Sequence, residues 1–112
     1  MDFHQGDIAL ANLNPTRGHE QAGFRPVLIM QANILNKHLS TVIIAPITTN
    51  LGAQGKLTTY LLAKDASGLD YDSVVLVHQI RALDKQRLEK KIASIPRDEF
   101  QKIREKLLFV FG

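Results

Sequence analysis

Two stretches of this sequence decide its fold class: Pro26-Val27-Leu28-Ile29-Met30 and Thr41-Val42-Ile43-Ile44-Ala45. Both are aliphatic or β-branched runs that are too short for helices, so they predict buried strands. Similar runs on either side predict further strands over residues 8–13, 57–62, 73–77 and 92–95. Several short strands separated by turns favour a small barrel or closed sheet over alternating βαβ units.

The C-terminal segment has a different periodicity. Pro96 suits the first position of a helix, and Asp98 and Glu99 follow where the helix dipole favours acidic side chains. Apolar residues then recur at three- and four-residue spacing and form one stripe: Phe100, Ile103, Leu107, Val110 and Phe111. We therefore expect a mainly β protein with a C-terminal helix packed on the sheet.

Length and composition set the class of protein. The chain has 112 residues, of which 45% are hydrophobic and 22% charged, so we expect one globular domain over residues 1–112. It has no cysteine, which excludes disulfides, thiolate nucleophiles and cysteine-based metal sites. The start has no signal-peptide pattern and the longest apolar run, 42–47, is far too short to span a membrane. A cytoplasmic protein that does not contact membranes is expected.

The net charge of +3 is unevenly distributed. Residues 1–54 carry three basic and three acidic residues, so the whole excess lies in the second half. On charge alone, the simplest interpretation of the basic cluster there is a solvated face. The alternative is a surface that holds a polyanion. The cluster consists of Arg81, Lys85, Arg87, Lys90 and Lys91, beside Asp84 and Glu89.

Two predicted loops, 14–24 and 48–56, contain most of the polar chemistry. The planar fork of arginine suits a phosphate, histidine or glutamate can move a proton, and hydroxyl and amide groups can hold phosphate oxygens. The set fits the binding or cleavage of a phosphodiester. It comprises Arg17, His19, Glu20 and Gln21, then Arg25, and then Thr48, Thr49 and Asn50. The four histidines show no metal-ligand spacing, so neither a metal nor a cofactor is expected.

RNA offers a route to cleavage without a metal. Its 2′-hydroxyl attacks the adjacent phosphorus when a base removes the proton and cations stabilise the developing charge. His19 or Glu20 would carry the protons. Each residue also has an ordinary interpretation, which the residues alone leave open. Arg25 could pair with Glu20, Arg81 could pair with Asp84, and the threonines could bond their own backbone.

Three blocks of sequence carry a resemblance to a known family. The first is GDI at 6–8 with LNPTRGHEQAGFRPVL at 13–28, the second is APITTN at 45–50, and the third is DSVVLVHQIRALDK at 72–85. In this order and spacing they resemble the MazF/PemK family of toxin endoribonucleases over nearly the whole chain.

The resemblance implies an SH3-like small barrel of the MazF/PemK/CcdB type, a homodimer, and a cognate antitoxin with a flexible acidic tail. It implies metal-independent cleavage of single-stranded RNA that leaves a 2′,3′-cyclic phosphate and a 5′-hydroxyl. Arg25 and Thr48 match the family's catalytic arginine and threonine. His19, Glu20 and Gln21 match a loop that lines the RNA site. We expect further RNA contacts from Arg17, Thr49, Asn50, Gln79 and Arg81.

One departure affects the mechanism. PemK-like members carry an arginine and an aspartate where this chain has Leu76 and His78, so the aspartate mechanism does not transfer, and whether His78 replaces that base stays open. Two alternatives also stay open. One is a gyrase-poisoning toxin on the same barrel, because some of these toxins end in an aromatic residue and a glycine, to which Phe111-Gly112 is faintly similar. The other is an RNA-binding module without catalysis. With no tryptophan and seven other aromatic residues, we expect hydrogen bonds to select bases more than stacking does.

Overall fold

The computed structural model describes residues 2–14, 18 and 23–112. Within these residues the expected class, mainly β with a C-terminal helix, is confirmed. The strands and helices in chain order are β1 (Asp7–Asn12), β2 (Phe24–Ile29), α1 (Asn33–His38), β3 (Thr41–Thr48), β4 (Thr59–Leu62), α2 (Lys64–Ser67), β5 (Ser73–Leu76), β6 (Arg81–Asp84), β7 (Leu88–Ser94) and α3 (Arg97–Phe111). Short 3₁₀ turns lie at Leu51–Ala53, Val77–Gln79 and Lys85–Arg87.

The described strand pairs are all antiparallel, and β3 pairs with two different strands along one of its edges. Its first half, 41–44, pairs with β6, whereas Ile47 and Thr48 pair with β5. The strand path runs β4-β5-β3-β2-β1-β7 and, within the described residues, does not return on itself. The sheet is therefore barrel-like but open, and the expectation of a closed sheet is wrong in this detail.

Two apolar cores lie on the two faces of β1 and β2, because successive side chains of a strand point to opposite faces. The core under α3, called the helix core, includes Ile8, Leu28, Ile47, Phe100 and Ile103. The core on the other face, called the opposite core, includes Ala9, Ala11, Val27, Ile29, Val42, Ile44, Leu83 and Leu88. Since both faces are covered, these strands have nearly continuous apolar sequences.

Two prolines end the pairing of β2 with β3. Proline has no N–H and cannot complete a ladder between strands. The pairing ends at Val27 opposite Pro46, one residue after Pro26 in β2. On the other edge of β3, the 3₁₀ turn Val77–Gln79 separates β5 from β6. The first residues of β2 and the last of β3 therefore lie beyond their shared ladder.

Buried Asp7 ties β1 to β7. It is 2% exposed and accepts hydrogen bonds from the His4 N–H at 2.8 Å and from the Ser94 hydroxyl, and the Lys91 ammonium lies 3.4 Å away. Burial raises the pKa of its carboxyl. The hydrogen bonds from Ser94 and His4, with the positive charge of Lys91, outweigh that effect and hold the pKa below its ordinary value of 3.8.

Helix α3 forms close to its expected position, with Asp98 and Glu99 in its first turn, although Pro96 precedes the first helical residue. Phe100 and Ile103 are buried, and Leu107 and Val110 pack against the helix core. Phe111 does not follow the expected stripe: it is 66% exposed, because the last turn extends past the core. The Tyr60 hydroxyl donates to Glu99 Oε1 at 2.7 Å and fastens α3 to β4. Burial and the charge of Glu99 raise the pKa of Tyr60.

Three elements were missed from the sequence, and each lacks an apolar pattern. Helix α1 has no apolar stripe and is held by Asn36, which exchanges side-chain and backbone hydrogen bonds with Gln31. Helix α2 is a single turn that ends at Gly68, whose φ of 76° favours glycine. Strand β6 has four residues, with only Leu83 buried. Strand β7 begins at Leu88, four residues earlier than expected, because the charged residues 89–91 hide its pattern.

Candidate active site

The register of β2 and β3 aligns the two residues predicted to be catalytic. Val27 lies opposite Pro46 and Leu28 opposite Ala45. Continued by two residues, this register places Arg25 opposite Thr48. Residues directly opposite on neighbouring strands project to the same face. Arg25 also lies opposite Ala11, so both side chains belong to the face of the opposite core.

This pair lies where the opposite core opens to solvent. Arg25 is exposed and Thr48 is half-buried. Because the two prolines end the ladder just before the pair, the backbones are not held together there by ladder hydrogen bonds. A guanidinium and a hydroxyl thus face one open end of the sheet, which is an arrangement that can hold a phosphate from two sides.

Arg81 shares this face. It lies opposite Ile44 of β3, a member of the opposite core, and is half-buried. Ile44 and Thr48 are four residues apart, roughly 13 Å along the strand. Arg81 therefore lies on the same face at a distance from the pair, and its predicted contact with RNA stays a prediction. Asp84 accepts a hydrogen bond from the Gln86 N–H at 2.8 Å and begins the 3₁₀ turn.

Thr48 and Asn50 also shape the turn after β3. Thr48 Oγ1 accepts the Asn50 N–H at 3.1 Å, and Asn50 Oδ1 accepts the Gly52 N–H at 3.0 Å. The ordinary interpretation of the threonines, that they bond the local backbone, is therefore correct for the acceptor atom of Thr48. Within the described residues, the Thr48 hydroxyl proton is not engaged and can be donated to a substrate.

Four predicted site residues, Arg17, His19, Glu20 and Gln21, lie outside the described residues, and their roles stay predictions. The two ends of their segment are described. Asn14 Oδ1 accepts the Gly23 N–H at 3.0 Å, and the Gly23 carbonyl accepts the Leu13 N–H at 2.9 Å. These bonds bring both ends of the segment together, two residues before Arg25.

Gln79 lies in the 3₁₀ turn between β5 and β6. Its side-chain Oε1 is buried, and no hydrogen-bond donor reaches it from the part of the chain that the structure describes. An unpaired buried carbonyl costs about 1–3 kcal/mol. The predicted contact of Gln79 with RNA stays a prediction.

The positions that depart from the PemK-like pattern do not form a polar pair. Leu76 is 5% exposed at the end of β5. His78 is exposed and belongs to the 3₁₀ turn Val77–Gln79. Strand β5 ends at Leu76 because the next position of β3 is Pro46, which has no N–H for the ladder. Pairing with β3 begins again in β6, where Arg81 lies opposite Ile44.

The basic cluster of the second half is not simply a solvated face. Lys85 Nζ donates to the Asn36 carbonyl and Arg87 donates to the Asn14 carbonyl. Lys91 pairs with Asp7. Three of the five cationic side chains therefore stabilise the fold by binding other segments of the chain.

A cavity of about 420 Å³ adjoins the site, and no motif in the sequence predicted it. Thr49 lines it, together with Leu51, Lys64, Asp70, Tyr71 and Asp72. The only local signal was a tyrosine between two aspartates. A larger cavity of about 700 Å³ lies near the start of β3, against Val42 and Lys85, and includes none of the predicted site residues that the structure describes.

Two negative findings apply to the described ranges, 2–14, 18 and 23–112. No helix there is long and apolar enough to cross a membrane. No group of three or more histidine, aspartate or glutamate side chains in those ranges is placed to hold a metal ion.

Solved structures similar to this one include MazF toxins. MazF of Deinococcus radiodurans superposes with a TM-score of 0.84 at 28% identity, over 100% of this chain and 98% of that one. Mycobacterium tuberculosis toxin MazF-mt6 gives a TM-score of 0.77 at 26% identity, over 94% and 95%. A MazE–MazF complex from D. radiodurans contains a chain that matches with a TM-score of 0.78 at 29% identity, over 100% and 97%. The fold is thus that of the MazF class of toxins.

Sequence comparison defines the family. The endoribonuclease MazF of Staphylococcus saprophyticus is 44% identical over 94 residues, which are 83% of this chain and 78% of that protein. The family model of PemK-like, MazF-like toxins of type II toxin–antitoxin systems matches residues 4–111. The chain therefore belongs to this toxin family, and the resemblance deduced from its sequence is confirmed.

Proposed function

We propose that this protein is the toxin of a type II toxin–antitoxin pair and acts as a metal-independent, sequence-specific endoribonuclease on single-stranded RNA. The observation that carries the proposal is the register of β2 with β3, which ends at Val27 opposite Pro46 and, continued by two residues, brings Arg25 and Thr48 to one sheet face. Membership of the toxin family and 44% identity to an endoribonuclease support it. Cleavage of mRNA would inhibit translation and growth.

The proposed reaction is an intramolecular transesterification. A base removes the proton of the 2′-hydroxyl, the 2′-oxygen bonds to phosphorus, and the bond from phosphorus to the 5′-oxygen breaks. A proton is delivered to the departing 5′-oxygen, which leaves a 5′-hydroxyl and a 2′,3′-cyclic phosphate. DNA lacks the 2′-hydroxyl, so this chemistry discriminates RNA from DNA without recognising a base.

The two aligned side chains stabilise the charge that develops on phosphorus. Arg25 donates charge-assisted hydrogen bonds to the non-bridging oxygens, and its high pKa suits it to this task rather than to proton transfer. Thr48 donates its hydroxyl proton to the same phosphate and orients it. His19 or Glu20 serves as the proton carrier, as the resemblance implies.

The proposed partners are a cognate antitoxin and a second copy of the chain. An acidic antitoxin segment would occupy the face that contains Arg25 and Arg81 and exclude RNA from it by charge. Leu108, Phe109 and Phe111 are more than half exposed at the end of α3, which supports self-association. We propose a cytoplasmic homodimer of one-domain subunits over residues 1–112.

The test compares Arg25→Ala with wild type on an end-labelled RNA in excess EDTA. Loss of one charge-stabilising donor is expected to slow cleavage by at least about 10². Arg104→Ala, an exposed position of α3, is the matched control and should cleave at the wild-type rate. Full activity of Arg25→Ala, or cleavage only after metal is added, would contradict the mechanism. Salt-dependent binding without any product would indicate the RNA-binding module instead.

A further inference from the structure

The cavity of about 420 Å³ beside the candidate active site has a composite wall. Thr49, which follows Thr48 directly, forms the side nearest to the site. Tyr71 contributes an aromatic ring that is 70% exposed, and Leu51 contributes an apolar side chain that is 42% exposed. The polar lining consists of Lys64, Asp70 and Asp72.

The charge of this lining excludes a phosphate as its occupant. Two carboxylates and one ammonium give a net negative cavity, which repels an anion. A nucleobase is neutral, has two flat apolar faces, and has N–H groups on its edge. An aromatic ring offers a stacking surface for such a face, and a carboxylate accepts hydrogen bonds from amino groups. The lining therefore fits a base.

The segment that carries Tyr71 is held in place on both sides. Asp72 Oδ1 accepts the Lys64 N–H at 2.8 Å, which ties the segment to the start of α2. The Ser73 hydroxyl donates to the Tyr71 carbonyl at 3.0 Å. Within the described residues, the Asp70 carboxylate makes no hydrogen bond or ion pair, so its acceptor atoms are available to a ligand.

We propose that this cavity, called the base pocket, binds an amino-bearing base (guanine, adenine or cytosine) next to the scissile phosphate. The base stacks on Tyr71 and donates its amino group to Asp70. Uracil has no amino group, and its single N3–H lies between two carbonyl oxygens that a carboxylate repels, so the pocket discriminates against it. The inference rests on the proposed function and assigns to it a residue that selects the base. It adds stacking on Tyr71 to the hydrogen bonds that are expected to select the base.

The binding test uses the tyrosine content of the chain. The chain has two tyrosines and no tryptophan, so Tyr60→Phe leaves Tyr71 as the only tyrosine emitter. This variant is titrated with 2′-O-methyl oligonucleotides, which lack the nucleophilic hydroxyl and cannot be cleaved. Oligoadenylate and oligocytidylate are expected to quench its fluorescence at concentrations about tenfold lower than oligouridylate. The absence of quenching, or equal quenching by all three, would overturn the proposal.

Variants in the wild-type background measure what the aromatic ring of Tyr71 and the carboxylate of Asp70 each contribute to binding. Tyr71→Ala is expected to raise the Kd for oligocytidylate about tenfold, whereas Tyr71→Phe should change it less than twofold. A tenfold change corresponds to about 1.4 kcal/mol, within the range for one base stacked on an aromatic side chain. Asp70→Asn should reduce the discrimination against uracil. Leu57→Ala, at another exposed apolar position, is the control and should bind normally.

Cleavage of RNA by the wild-type protein distinguishes a failure of the base pocket from a failure of the proposed endoribonuclease activity. Cleavage together with equal Kd values for Tyr71→Ala and Tyr71→Phe would refute the base pocket alone. Quenching and weakened binding as described, without cleavage by the wild type, would refute the proposed activity and leave the base pocket as a binding site.

Discussion

Replacing Thr48 with valine tests whether its hydroxyl acts in the reaction or only in the turn after β3. Valine keeps the shape of threonine and suits a strand, but it removes both the acceptor and the donor. Thr48→Ser keeps the hydroxyl. Wild type, Thr48→Ser and Thr48→Val therefore form a series in which the hydroxyl is the main variable.

The structure allows the two effects to be ranked. Within the described residues, Thr48 Oγ1 makes one hydrogen bond, with the Asn50 N–H at 3.1 Å near the surface, and such a bond contributes about 1 kcal/mol. That loss corresponds to a decrease in Tm of about 4 °C for a domain of this size. A domain with about 5–15 kcal/mol of stability stays folded after it. Loss of a donor to the phosphorane slows the reaction about 10², or roughly 2.7 kcal/mol.

The assay combines initial cleavage rates on a fluorogenic RNA with thermal unfolding followed by circular dichroism. Thr48→Val is expected to unfold within about 5 °C of wild type and to cleave about 10² more slowly. Thr48→Ser should stay within about threefold of the wild-type rate. If Thr48→Val cleaved within threefold of wild type, the threonine would have only its structural role and the assignment would be wrong.

Two further predictions concern stability. Asp7→Asn should lower the free energy of unfolding at pH 7 by about 2 kcal/mol, because charge-assisted bonds to a buried carboxylate are lost. The folded pKa of Asp7 lies below the unfolded value, so this stabilisation is present above about pH 4 and lost as the pH falls through the folded pKa. Urea titrations from pH 7 to 2.5 should therefore converge at low pH, and a constant difference would contradict the linkage. Ile103→Ala, at a fully buried position of α3, should cost about 2–5 kcal/mol in the same assay, and a loss below 1 kcal/mol would show that α3 does not cover the helix core.

Local sequence patterns predicted the elements that have an apolar period. The aliphatic runs of β1, β2 and β3 and the stripe of α3 follow from side-chain spacing alone. The start of β7 was predicted too late because charged residues hide the strand, and α1 was missed because a hydrogen-bond network replaces an apolar stripe. For the site, sequence similarity indicated Arg25 and Thr48, but periodicity alone left both with ordinary alternatives.

By itself, then, the sequence determined the class of fold, the C-terminal helix, the family and a set of candidate residues, because these depend on composition, local periodicity and motif. Only the tertiary structure decided which candidates share a face of the sheet. Arg25 and Thr48 are 23 positions apart in the chain, and the register of β2 with β3, continued by two residues beyond Val27 and Pro46, brings them to the same face. That register is set by matching Val27 and Ile29 with residues of β3 in the opposite core, which is a non-local packing choice. The base pocket likewise exists only because the folded sheet brings Thr49 to Tyr71.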